Sequence, residues 1–229
     1  EVHVVARRQR QTWKRDRISV PPEKPTYSLR RVWLTKQQEE AYYYGLSNEG
    51  LWPLCHVTFT RPVFRPSDWA AYREVNQLFA DVVVQEAGNT PTFVFIQDYH
   101  FCLLPRMLKK ANANLVVAQF WHIPWPNREV LRVFPWKEEL LDGLLGNDLL
   151  GFHIRYHCTN FLDTVDRSIE ARVDTDRLEI TRSGHVTSIR EFPISIEFQE
   201  HHANAQQPSV ENRMKYWRKR VGHAIHYLG

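Results

Sequence analysis

Residues 93–96, FVFI, are an unbroken apolar run that gives way to the polar string QDYH, and residues 115–126 repeat the pattern as LVVAQF closing into WHIPWP. Short continuous apolar runs bounded by polar residues predict strands buried in a parallel sheet. The segment between them, FCLLPRMLKKANANL, is amphipathic and long enough to carry the chain back for the next parallel strand. The alternation continues with TFVFIQDY as strand, LLPRMLKKA as helix, NLVVAQFWH as strand, REVLRVF and WKEELLDGLLG as helices, DLLGFH as strand and RYHCTNFLDTVDRSI as helix. Such a series predicts an α/β fold with a Rossmann-like, doubly wound parallel sheet. In open sheets of this kind ligands bind beyond the carboxyl ends of the strands, where Asp98, His100 and His122 fall.

The flanks carry weaker patterns. SVPPEKPTYS favours extended backbone, LRRVWL reads as a short strand, and the first ~30 residues read as a mobile edge. Thr35 and Gln38 have the spacing of a capping box for a helix through EEAYYYGL that ends near Gly45. Ser67, after Pro66, opens a longer helix with Trp69, Tyr72, Val75 and Phe79 on one face and Gly88 as its stop. RLEITRS and HVTSIREFP around Gly184 predict a hairpin, SVENRMKYWRKRVGH a basic helix, and HYLG the start of another strand. Three regions result: a basic, proline-containing segment over 1–30, a Rossmann-like domain over 31–198, and a linker with a basic helix over 199–229.

With 229 residues and 43% hydrophobic content the chain can bury a full core. No apolar stretch approaches the roughly 18 residues of a membrane span, and EVHVVARRQRQTWKRDR has no hydrophobic run behind its charges, so a soluble cytoplasmic protein is expected. Cys55, Cys102 and Cys158 are odd in number and lack CxxC spacing, which predicts neither a disulfide framework nor a thiolate metal site. The net charge of +4 is concentrated in Arg7, Arg8, Arg10, Lys14, Arg15 and Arg17. That run lacks the interleaved aromatics of single-strand binders, so nucleic acid is not expected as a partner.

A carboxylate such as Asp98 at a strand end can accept two sugar hydroxyls at once, and it can equally cap the following helix or pair with Arg106; the residues alone weigh the two evenly. His122 sits in WHIPWPN, where Pro124 and Pro126 stiffen the turn that presents its imidazole. YYYGLSNEGLWPLCH supplies tyrosines and a tryptophan, which can stack on sugar faces but at this spacing are more often core. His153 and His157 have an H-x3-H spacing with no third ligand, and read as incidental histidines at a helix start rather than a metal site.

The strings YYYGLSNEGLWPLCH, WAAYREVNQLFAD, IQDYHFCLLPRML, HIPWPNREVLRVFPWKEELLDGLLGNDLLGFH and EFPISIEF together resemble the trehalose-6-phosphate synthase family of retaining glycosyltransferases. The resemblance implies the N-terminal, acceptor-binding half of a two-domain GT-B fold. It implies transfer of glucose from a nucleoside-diphosphate glucose to glucose 6-phosphate, by front-side attack with retention, without cofactor or metal. Position by position, Tyr43 and Trp52 fall where the family contacts glucose 6-phosphate. Asp98 matches its acceptor-binding aspartate, and His122 the histidine of its H-I-P-F-P motif. Asp98 and His122 are thus the catalytic candidates, with Tyr43, Trp52 and Asp98 binding substrate.

The chain departs from the family in several places. The N-terminal arginine and Gly-Gly loop have no match, and the donor domain with its R-x-D-Y-x-K-G motif would begin after HYLG. Gln97 stands where many members have histidine, Trp125 replaces phenylalanine, and FPISIE replaces P-I-G-I-D. The 229 residues are accordingly expected to be inactive alone. A same-family synthase with another acceptor, such as glycerol 3-phosphate, and a non-catalytic sugar-phosphate-binding domain are the alternatives; a homo-oligomer stays open.

Overall fold

The computed structural model of the chain describes residues 2–8 and 17–221. HYLG, with its expected strand, lies outside the described residues, as do Arg10, Lys14 and Arg15. The chain divides into two compact units, Glu1–Pro193 and Ile194–Gly229.

In the first unit, β1 (Val2–Arg8), β2 (Arg17–Val20) and β3 (Tyr27–Leu34) make a three-stranded sheet in the order β1-β3-β2, with β1 parallel and β2 antiparallel to β3. Where the sequence reads as a mobile edge, Arg17–Val20 therefore has a fixed register against Tyr27–Arg30. Arg17 and Arg30 both reach Glu86, at 3.3 and 3.6 Å, which ties this edge to the neighbouring helix.

Thr35 and Gln38 do form the capping box, opening α1 (Lys36–Gln38). The helix does not stop at Gly45. It widens into π-type turns over Glu39–Leu51 and continues as α2 (Trp52–His56), ending where Val57 turns left-handed at φ 51°. Gly45 serves packing instead: a Cβ there would lie 2.5 Å from the buried Asp68 carboxylate. Asp68 belongs to α3 (Pro66–Ala87), which begins with Pro66 in its first turn rather than with a Ser67 cap. Trp69, Tyr72, Val75 and Phe79 face the core as expected, and Gly88 ends the helix at φ 52°.

From here strand and helix alternate. The order is β4 (Phe93–Gln97), a 3-10 turn (Tyr99–Phe101), α4 (Leu104–Ala111), β5 (Val116–Phe120), α5 (Arg128–Leu131), α6 (Lys137–Leu144), β6 (Leu149–Phe152) and α7 (Arg155–Ser168). Then β7 (Arg172–Asp174), β8 (Glu179–Arg182) and β9 (His185–Glu191) complete a sheet ordered β4-β5-β6-β9-β8-β7. Its first four strands are parallel, and the hairpin around Gly184 extends it antiparallel. One face, with Ile96, Val117, Leu150, Phe152, Ile180 and Ile189, is sealed in the core. On the other face, Phe93 and Phe95 are 63% and 58% exposed beside an exposed Val116.

The second unit holds α8 (Phe198–Ala205) and α9 (Pro208–Val221), with no buried residue in either. Local side-chain pairs support α9, including Lys215–Glu211 at 2.8 Å. Among the described residues no helix is long and apolar enough to cross a membrane.

Candidate functional site

The parallel register sets Gln97 at the end of β4 beside Phe120 at the end of β5, so the residues that follow each strand emerge together. Asp98 leaves β4 with φ 66° and ψ −176°, a conformation natural to glycine and costly for a side chain. Three bonds hold it there. Its N–H donates to the Phe120 carbonyl at 2.8 Å, its carbonyl accepts from Gln119 Nε2 at 2.9 Å, and its Oδ1 accepts the His122 N–H at 3.1 Å. Gln119 is itself fixed by Asn147 Nδ2, 2.9 Å from its Oε1, in a buried amide relay.

The helix cap and the Arg106 pair are not what holds Asp98. The carboxylate caps no helix, and Arg106 is engaged elsewhere, 3.4 Å from Asp142 and bonded to the carbonyls of Asp142 and Leu145. Among the described residues no hydrogen bond occupies Asp98 Oδ2, which leaves one acceptor oxygen for a ligand.

His122 is exposed, yet its neighbours Trp121, Ile123 and Trp125 are buried. The turn is therefore pinned from below, more firmly than by Pro124 and Pro126 alone. The Trp121 and Trp125 rings meet edge-on at 4.9 Å, and Trp125 Nε1 donates to the buried Thr164 hydroxyl at 3.2 Å. That bond is one a phenylalanine could not make. His122 Nε2 lies 2.6 Å from Gln97 Oε1, so Gln97 touches the neighbouring imidazole.

On the other side, His100 is stacked between Tyr43 (ring centroids 5.4 Å, 12°) and Tyr99 (4.2 Å, 30°), and its Nε2 is buried without a partner. Burial pushes its pKa below the ordinary value, against an opposing pull from Asp98. Tyr43 thus joins the cluster through His100. Trp52 does not: half exposed, it stacks on its own helical neighbour His56 at 4.0 Å.

Two residues of α3 brace this loop. Tyr72 donates to the Tyr99 carbonyl at 2.6 Å and accepts from the Cys102 N–H at 2.8 Å. Asn76 Oδ1 accepts the N–H groups of Leu103 and Leu104, and its Nδ2 donates to the His100 carbonyl. All three cysteines are buried free thiols, and burial pushes Cys102 up to about 12, which removes it as a nucleophile.

The row of strand ends does not stop at β5. His153, set aside in the sequence as incidental, follows β6 with its ring 6.0 Å from that of His122, and both rings abut Phe120 edge-on at 4.9 and 4.7 Å. Gly151 makes room for this, since a Cβ there would meet Phe120 at 3.0 Å and Phe192 at 2.9 Å. His157 is turned away, its Nδ1 3.2 Å from the Trp125 carbonyl. The adjacency of β5 and β6 in the alternating pattern is the signal that finds His153.

The profile of glycosyltransferase family 20 matches residues 3–228. A trehalose-6-phosphate synthase of Mycolicibacterium vanbaalenii is 34% identical over 209 residues, 88% of this chain and 42% of that protein. A bifunctional trehalose-6-phosphate synthase/phosphatase of Thermoproteus tenax is 36% identical over 217 residues, covering 90% of this chain and 29% of the relative. Among solved structures, the E. coli protein bound with UDP-2-fluoro glucose superimposes with a TM-score of 0.81 and 25% identity over 95% of this chain and 48% of its own. The chain therefore spans less than half the length of these relatives.

Proposed function

The chain belongs to glycosyltransferase family 20, and from that premise we propose that its cleft is the acceptor side of a trehalose-6-phosphate synthase-like enzyme. On this reading glucose 6-phosphate sits against Asp98, Tyr43 and Trp52, and a nucleoside-diphosphate glucose meets it at His122. The observation that carries the reading is the Asp98 carboxylate, held at a strained strand end with one oxygen pinned by the His122 N–H and the other without a hydrogen bond among the described residues.

The chemistry then falls to orientation and charge. Asp98 fixes an acceptor hydroxyl, and the His122 turn, anchored by Trp121 and Trp125, sets an imidazole against the transferred sugar. In front-side transfer with retention the departing phosphate takes the acceptor proton, so no carboxylate nucleophile is required. The donor diphosphate is gripped mainly by a second domain outside these 229 residues, so the chain by itself binds the donor weakly and is inactive.

Calorimetric titration of the chain with glucose 6-phosphate tests the acceptor site. Binding is expected, and Asp98→Asn, which keeps shape but loses charge, is expected to weaken it about tenfold. Equal affinity in the variant would make Asp98 structural. Glycerol 3-phosphate titrated alongside identifies the acceptor: tighter binding of the triol phosphate would replace glucose 6-phosphate in this reading.

A further inference from the structure

His153 is the polar residue at this cleft that nothing above accounts for. It is half-buried, no hydrogen bond reaches its ring among the described residues, and its Nδ1 is buried without a partner. Left without a partner, a buried N–H and a buried lone pair each forfeit solvation, and orphaned N–H groups are the rarer of the two in folded proteins. The neutral tautomer that leaves Nδ1 bare carries its proton on Nε2. At His122 the partner of Nε2 is the Gln97 amide oxygen, which places a proton on that nitrogen and leaves Nδ1 as the acceptor. Two imidazoles, 6.0 Å apart across Phe120, then present one acceptor and one donor.

Resting on the glycosyltransferase reading, we propose that His153 is a substrate-contacting residue on the donor side of the cleft, its Nε2–H donating to the nucleoside-diphosphate glucose. The order of strands carries the assignment of side. Asp98 and the Tyr43–His100 stack lie at the β4 end, His122 follows β5, and His153 follows β6, one strand further from the acceptor. Gly151, two residues earlier, keeps Phe120 seated so that both rings rest on it.

Nitrogen-15 NMR of the histidine rings in the 229-residue chain tests this, with UDP-glucose and glucose 6-phosphate as separate probes. His153 is expected as the Nε2–H tautomer, and its Nε2 resonance is expected to move with UDP-glucose but not with glucose 6-phosphate. His153→Gln, which keeps a donor, is expected to hold UDP-glucose close to the wild-type affinity. His153→Phe, which keeps the aromatic packing on Phe120, is expected to lose about fivefold. A purely structural role demands the opposite order, with Phe better than Gln, and that result overturns the proposal. So does UDP-glucose that leaves the His153 resonance unmoved. If glucose 6-phosphate still binds and depends on Asp98, that failure belongs to His153 alone; if neither sugar phosphate binds, the acceptor reading falls with it.

Discussion

Asp98 shows how a single residue can be held in place against its own preference. At φ 66° and ψ −176° a Cβ is strained by about 1–3 kcal/mol, and glycine would be at ease. Ordinarily glycine is the less stable of Gly and Ala, yet here Asp98→Gly is expected to resist urea better than Asp98→Ala, with both losing acceptor binding. The reverse order in urea unfolding would show an unstrained site. His100 gives a second test at this scale. Burial lowers its pKa from the ordinary 6.5, so as pH falls below about 6.5 the unfolded chain takes up a proton that the folded chain refuses, and stability falls with it. His157 is lowered as well, so the comparison needs a variant that changes His100 alone. His100→Phe, which retains the stack between Tyr43 and Tyr99, is expected to lose less stability than wild type between about pH 7.5 and about pH 5.5 in urea melts. Equal losses would mean that His100 does not titrate as its burial implies.

Helix α3 reaches the cleft through Tyr72 and Asn76, and the loop after β4 depends on it. Asn76→Ala would orphan the buried N–H groups of Leu103 and Leu104, at about 1–3 kcal/mol each, so a loss of at least about 2 kcal/mol is expected in urea unfolding. A change below about 0.5 kcal/mol would mean that water replaces the amide. Local signals in the sequence foretold the Thr35–Gln38 capping box, the Gly88 stop, the two strands before the cleft, though each was read two residues past its end at Gln97 and Phe120, and the hairpin at Gly184, because each depends on a few adjacent residues. They did not foretell the π-type helix through Gly45, where the glycine admits Asp68 from another helix rather than ending its own. Asn76 was equally hidden, a polar residue on an apolar helical face whose partners come from a segment 24 to 28 residues away. At the cleft, Asp98 and His122 are legible as strand-end residues and Tyr43 only through the family resemblance, while His153 needs the neighbouring strand and Trp125 needs Thr164 before either has a reason.

At the scale of the whole chain, transfer needs the donor diphosphate held against the acceptor, and orientation of that kind is worth on the order of 7–11 kcal/mol. The 229 residues alone are therefore expected to release no nucleotide from UDP-glucose in an assay with glucose 6-phosphate, and sustained acceptor-dependent turnover would contradict the proposed division of labour. The outer face of the sheet has a more practical consequence. Phe93, Phe95 and Val116 give the native chain the kind of open apolar surface that fluorescent dyes such as ANS use to report molten states. The folded protein is expected to light such a dye before any heating, so a dye-based melting curve would begin high and resemble a damaged preparation. A Phe93→Thr, Phe95→Thr double variant is expected to lower that starting signal while the melting of the Trp69–Trp136 stack, followed by intrinsic fluorescence, stays in place. Tryptophan emission, rather than an added dye, is then the gauge by which the other variants of this chain are best compared.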